Sequence, residues 1–256
     1  MNYSTSNFTL GILGGGQLGK MLLQVTSRLS IKTNVLDPSE DSPCKNLCAE
    51  FTKGNLMDFE SVYNFGKACD LVTYEIEHIN VDALEKLEKE GIKVFPNSST
   101  LRIIQDKSIQ KQFFLDNSIP TAKFKFYNSF NDLEFNNLNF PCVWKKTKFG
   151  YDGYGVQILK SIDDFNSLPK TQFIIEEIVP FKKELATTIA RNENGDIEVF
   201  PIVEMMFNET SNQVEFVVCP AQISDELKRK AEELALKVSK TFKQVGLLAV
   251  EMFLTQ

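Results

Sequence analysis

The chain has 256 residues, 43% of them hydrophobic and 24% charged, with a formal net charge of -6. That length builds one large domain or two small ones around substantial cores, and the composition excludes disorder, collagen and coiled coil. The acidic balance argues against a nucleic-acid partner, and no apolar run approaches the ~20 residues that cross a bilayer.

Residues 8–13 predict a buried strand, followed by Gly14, Gly15 and Gly16 and by a helix from Gln17 on which Leu18, Met21, Leu22, Val25 and Leu29 recur at helical spacing. A short strand follows at 34–37, closed by Pro38. Next come a helix at 58–67, a strand at 70–75, a helix at 81–90 stopped by Gly91, and a strand at 93–96. Alternation of this kind predicts a Rossmann-like parallel sheet with helices on both faces, over residues 1–97. Beyond Pro96 the cap-rich segment 97–100 leads into a long helix expected at 101–117. Strands are then expected at 142–146, 173–179, 185–191 and 197–204, with an Asn194-Gly195 hairpin turn between the last two. A helix opens at Asp225, and residues 247–254 form an apolar strand.

The residue inventory narrows the chemistry. There is a single histidine, His78, and the five cysteines (Cys44, Cys48, Cys69, Cys142, Cys219) are odd in number and irregular in spacing. A multi-histidine metal site is therefore excluded within this chain, a zinc knuckle lacks its second pair, and structural cysteines in a reducing compartment are expected. Residues 1–9 carry no basic residue and no small-residue cleavage site, so a cytoplasmic protein is expected.

Three clusters carry candidate chemistry. Gly14, Gly16 and Gly19 follow a strand and open a helix, with Asp37 ending the next strand. That pattern fits a nicotinamide-dependent Rossmann oxidoreductase, or a tight turn holding some other anion. Lys145, Lys146 and Lys148 precede a loop with Gly150, Gly153 and Gly155, where glycine-freed amides and lysine charge suit a polyphosphate, although the loop is no Walker motif; a solvated hairpin is the alternative. Glu176 and Glu177 end an apolar strand, with Glu184 beyond, and either bind a nucleoside or face solvent. Glu251 interrupts the last strand, where a carboxylate either meets a magnesium ion or points outward from an edge.

Taken in order, these segments resemble the N5-carboxyaminoimidazole ribonucleotide synthase family of ATP-grasp enzymes along the whole chain. The likeness rests on Gly14-Gly15-Gly16-Gln17-Leu18-Gly19, Thr73-Tyr74-Glu75-Ile76-Glu77, Gln105-Asp106-Lys107 and Phe149-Gly150-Tyr151-Asp152-Gly153. It continues through Glu176-Glu177-Ile178-Val179, Lys183-Glu184 and Ala249-Val250-Glu251-Met252-Phe253. The resemblance implies a Rossmann-like substrate domain at 1–97 and an α+β ATP-grasp domain at 98–256, with a lid roughly at 119–180. It implies ATP-dependent carboxylation of 5-aminoimidazole ribonucleotide with bicarbonate, through carboxyphosphate, in purine biosynthesis, by a homodimer using ATP and Mg2+. Another ATP-grasp carboxylase or a formate-using ligase shares the lysines and the hinge.

Residue by residue, the resemblance places Lys107 and Lys145 on phosphates and makes Lys145, Tyr151 and Asp152 the catalytic candidates. Gly150, Tyr151, Asp152, Gly153, Tyr154, Gly155 and Val156 become the loop over ATP. Glu176, Glu177, Ile178 and Val179 become the adenine hinge, and Glu184 the ribose contact. Gln17, Leu18, Glu75, Tyr151 and Asp152 face the ribonucleotide, and Glu251 takes magnesium. Phe207 stands where the family commonly has histidine, and Tyr154 where lysine or arginine is usual. Members also continue past the position of Gln256 into a second magnesium carboxylate, so the resemblance implies weak or no turnover by these 256 residues alone.

Overall fold

The computed structural model describes residues 7–133, 138–148, 150, 155–208 and 214–255. The described residues up to Arg102, together with Gln244–Gly246, form one compact unit, and those of Ile103–Lys243 and from Leu247 onward form a second.

In the first unit, β1 (Thr9–Leu13), α1 (Gln17–Arg28), β2 (Lys32–Asp37), β3 (Glu50–Lys53), α2 (Phe59–Lys67), β4 (Leu71–Tyr74), α3 (Val81–Lys89) and β5 (Lys93–Phe95) alternate as expected. They form a parallel sheet in the order β3-β2-β1-β4-β5, the doubly wound arrangement with β1 at its centre. Asp58 and Asn80 cap α2 and α3 by accepting from the amides of Ser61 and Ala83. The core beneath is aliphatic, with Leu13, Leu36, Val62, Val72, Leu84 and Leu87 packed together. Edge strand β3 was not expected, because Glu50, Thr52 and Lys53 give it little apolar signal.

Helix α1 departs from its pattern in an informative way. Its apolar recurrence lies on the outer side: Leu18, Met21, Leu22, Val25 and Leu29 are all exposed, while Gly19, Leu23 and Thr26 are buried. A Cβ at Gly19 would stand 2.7 Å from the carbonyl oxygen of Gly14, so close packing against the glycine turn selects the small residue there.

The second unit begins with a helix break. The single helix expected at 101–117 is two, α4 (Ser98–Ile104) and α5 (Lys107–Asp116), because the Asp106 carboxylate caps α5, accepting from the amides of Ser108 (2.9 Å) and Ile109 (3.4 Å). Strands β6 (Phe124–Tyr127), β7 (Cys142–Lys146), β8 (Val156–Leu159) and β9 (Phe173–Glu177) form an antiparallel sheet ordered β6-β9-β7-β8. A further antiparallel sheet contains β10 (Lys183–Arg191), β11 (Ile197–Val199), β12 (Val203–Phe207) and β13 (Val214–Val218), with β14 (Gly246–Leu254) pairing with β10.

The strand expected at 197–204 is divided into β11 and β12 around Pro201, which cannot donate to the ladder. The turn between β10 and β11 holds Gly195 at φ 91, as a hairpin requires. Helix α6 (Asp225–Phe242) is capped by Ser224, and β14 closes the unit. No described helix is long and apolar enough to cross a membrane.

Candidate nucleotide site

Strand parity builds the site in the second unit. In the register of β7 against β9, Val143 faces Glu176 and Lys145 faces Ile174, while Phe124 of β6 faces Glu176 on the other side. Side chains alternate along a strand, so Phe124, Lys145, Ile174 and Glu176 share one face of the sheet. Tyr127, Trp144, Phe173 and Ile175 share the other, where they form an aromatic core. Helix α5 packs near β9 and brings in Lys107 and Lys111, one turn apart on the same helix face.

The result is a buried carboxylate between two ammonium groups. Glu176 is 5% exposed at its side chain; Lys111 Nζ lies 2.9 Å from Oε1 and Lys145 Nζ 2.8 Å from Oε2. Lys111 also donates to Thr121 Oγ1 at 2.7 Å and stands 6.0 Å from the Phe124 ring centroid. Burial holds the Lys111 ammonium below the usual lysine range, against the pull of Glu176, and the charge of Lys145 lowers it further. Lys111 is the site residue that motif reasoning missed. Its available signal was the four-residue spacing from Lys107 on one helix face.

Lys107 opens α5, and its amide donates to the carbonyl of Thr147 at 2.8 Å, tying the helix start to the end of β7. The lysine-rich strand then leaves for the glycine loop. Lys146 donates its amide to the carbonyl of Gly155, which has φ 81, and Val156 begins β8 half-exposed. Gly150 is described, whereas Tyr151, Asp152, Gly153 and Tyr154 lie outside the described residues. Past Glu176, Glu177 and Ile178 are exposed and Val179 half-buried. The Glu177 amide bonds to the carbonyl of Lys123 and its carboxylate lies 3.5 Å from Lys123 Nζ.

Glu184 sits on β10 opposite Met205, and burial followed by the nearby charge of Glu251 pushes its carboxyl upward. Glu251 does not interrupt a buried run. Along β14, Leu248, Val250, Met252 and Leu254 are half-buried, and Leu247, Ala249, Glu251 and Phe253 lie on the exposed side. No group of three or more candidate metal ligands occurs among the described residues. Glu184 and Glu251 are two hard oxygen donors near enough for the charge of one to raise the carboxyl of the other.

In the first unit the glycine turn is held by the chain's own acids. Gly15 donates its amide to Asp37 Oδ2 at 2.7 Å and Gly16 to Glu75 Oε1 at 2.8 Å, while Asp37 Oδ1 also accepts from the amide of Ser39 at 2.8 Å. The carboxylate that a dinucleotide reading gives to a ribose is thus engaged by the turn. Gly14 has φ 98, and a Cβ there would stand 2.7 Å from Glu75 Cγ. Gln17 and Leu18 follow as exposed first-turn residues of α1, whose amides open the helix. Replacing Glu75 by alanine is expected to lower the stability of this unit by about 1 kcal/mol, through loss of a charge-assisted hydrogen bond that braces the turn from just past β4. Hydrogen exchange of the Gly16 amide should accelerate with it; an unchanged rate would remove this brace from the account.

A parallel sheet with a carboxylate-braced glycine turn, followed by lysine-bearing antiparallel sheets, defines an ATP-grasp protein. The match is explicit: residues 8–105 fit the ribonucleotide synthetase preATP-grasp domain, and residues 112–256 fit the ATP-grasp domain. The chain superposes on the N5-carboxyaminoimidazole synthase of Aspergillus clavatus, solved with ADP and 5-aminoimidazole ribonucleotide, with a TM-score of 0.87. It is 32% identical to that protein, over 100% of this chain and 68% of that one. It is 36% identical to the chloroplastic phosphoribosylaminoimidazole carboxylase of Vigna aconitifolia, over 96% of this chain and 45% of that protein. The N5-carboxyaminoimidazole ribonucleotide synthase of Synechococcus elongatus is 31% identical, over 95% and 63%. The chain belongs to the N5-carboxyaminoimidazole ribonucleotide synthase family, and it spans between about half and two thirds of the length of these curated relatives.

Proposed function

We propose that the protein carries out ATP-dependent carboxylation of 5-aminoimidazole ribonucleotide with bicarbonate, giving N5-carboxyaminoimidazole ribonucleotide, ADP and phosphate. The observation that carries this reading is the pair of ammonium groups, Lys111 and Lys145, on the buried carboxylate of Glu176, with Lys107 one turn before Lys111 on α5. Lysines on a rigid strand and a capped helix suit the phosphates of ATP, because fixed charge stabilises transferring phosphoryl groups without reorganisation. The segment from Glu176 to Val179 offers a strand end for the adenine edge, and Glu184 lies downstream for ribose hydroxyls. Glu251 suits a magnesium ion, which when bound would neutralise phosphate charge.

Residues 150–156 close over the nucleotide in this reading, with Tyr151 and Asp152 also facing the ribonucleotide. Gln17 and Leu18 at the start of α1, with Glu75, take the ribonucleotide in the first unit, where helix-opening amides favour its phosphate. Excluding water there protects a labile carboxyphosphate. A homodimer belongs to the same reading and is tested by light scattering. ADP release should require bicarbonate and 5-aminoimidazole ribonucleotide together. Release indifferent to the ribonucleotide would leave the ATP-grasp class and remove this substrate.

A further inference from the structure

Within the second unit, one buried carboxylate is shared by two ammonium groups, and the two are held differently. Lys111 is 12% exposed at its side chain and is fixed by Glu176, by the Thr121 hydroxyl and by the Phe124 ring. Lys145 is 25% exposed and stands on the strand that leads into the glycine loop. The trio carries one more positive than negative charge in a desolvated place, and the like charge of Lys145 bears on Lys111. An arriving phosphate removes that imbalance if one lysine turns to it, and the anchored lysine is Lys111.

Resting on the nucleotide reading above, we propose that Lys111 is a positioning residue. It is the resident counter-ion of Glu176, and it lets Lys145 leave that carboxylate for a phosphate of bound ATP without stranding a buried anion. The physical requirement is simple. A carboxylate at 5% exposure cannot give up its only cation without a cost of several kcal/mol. With one lysine, phosphate and Glu176 would compete for it; with two, the exchange leaves every charge paired. Lys111 therefore acts on nucleotide affinity through Glu176 and Lys145 rather than by touching the nucleotide.

A double-mutant cycle on Mg-ATP binding, measured by calorimetry with melting temperatures alongside, tests this. Lys111→Met should weaken ATP binding by about 30-fold or more, because Glu176 then retains Lys145. Lys111→Arg should stay within a few-fold of the parent chain. In a Glu176→Gln background, where no anion holds Lys145, Lys111→Met should change affinity less than about threefold. Equal losses in both backgrounds would overturn the proposal and mark Lys111 as a direct contact or a purely structural residue. Unaltered affinity in Lys111→Met alone would overturn it as well. Should Lys111→Met fail to fold, the comparison of Glu176→Gln with Glu176→Gln/Lys111→Met still decides, since neither retains a buried carboxylate. If the parent chain binds no Mg-ATP, the nucleotide reading itself falls, a result distinct from any of these.

Discussion

Replacing Phe173 by alanine is expected to lower the stability of the β6-β9-β7-β8 sheet by about 4 kcal/mol. Phe173 is fully buried and lies 5.2 Å from the ring of Tyr127, 5.0 Å from Phe130 and 6.1 Å from Trp144, measured between centroids. The cavity left by a phenyl ring among three aromatic side chains cannot close, because Tyr127 and Trp144 are fixed by their strands and Phe130 by the short helical turn that carries it. The chain has one tryptophan, Trp144, and it stands in this cluster, so its fluorescence during urea unfolding reports on this sheet directly. Phe173→Leu, which leaves a smaller void, should cost about 1–1.5 kcal/mol. A loss under about 1 kcal/mol in Phe173→Ala would mean that this face is loosely packed. The two faces of β9 are linked, since Phe173 and Glu176 sit three residues apart on opposite sides. Nucleotide affinity should therefore decline with the sheet in Phe173→Ala, and hold in Phe173→Leu.

Much of this architecture was legible because periodicity and punctuation agree. The strand–helix alternation up to Phe95, the Asn194-Gly195 hairpin and the lysine strand at β7 all follow from local chemistry. What was not legible depends on packing. The apolar recurrence on α1 establishes a helix but not which side meets the sheet, and Gly19 with its neighbours Leu23 and Thr26 takes that side. The break at Gln105-Asp106 hides inside a continuous helical pattern, although Asp106 followed by Ser108 is an N-cap signal. β13 was not expected, and its residues Val214, Phe216 and Val217 are exposed.

The candidate site divides in the same way. Lys145 and Glu176 stood out as a lysine and an acid at the ends of apolar strands, and antiparallel register brings them to 2.8 Å. Lys111 was not singled out: its spacing from Lys107 gives a shared helix face but does not report that its tip enters a buried site. Glu251 looked like an acid within a buried run, and β14 instead alternates. Its companion Glu184 became apparent only through the pairing of β14 with β10.

Glu176→Ala should destabilise the second unit by about 3 kcal/mol, and by an amount that depends on pH. Two ammonium groups lose a shared counter-ion, at side-chain exposures of 12% and 25%, so solvent screens neither well. Lys111 already titrates below the ordinary lysine range in the parent chain, with Glu176 opposing the shift; without Glu176 only burial and Lys145 act on it, and it falls further. The unfolded chain keeps the ordinary value, so between the two values the unfolded state binds more protons, and unfolding free energy rises with pH. The deficit of Glu176→Ala relative to the parent chain should thus be largest near about pH 7 and shrink toward about pH 10, as the stranded ammonium becomes a neutral amine. Urea unfolding followed by Trp144 fluorescence at both ends of that range measures the difference. A deficit constant with pH would place the loss in packing rather than in charge. A deficit that grows with pH would mean that removing Glu176 raises the Lys111 value rather than lowering it, contrary to the pull that Glu176 exerts in the parent chain.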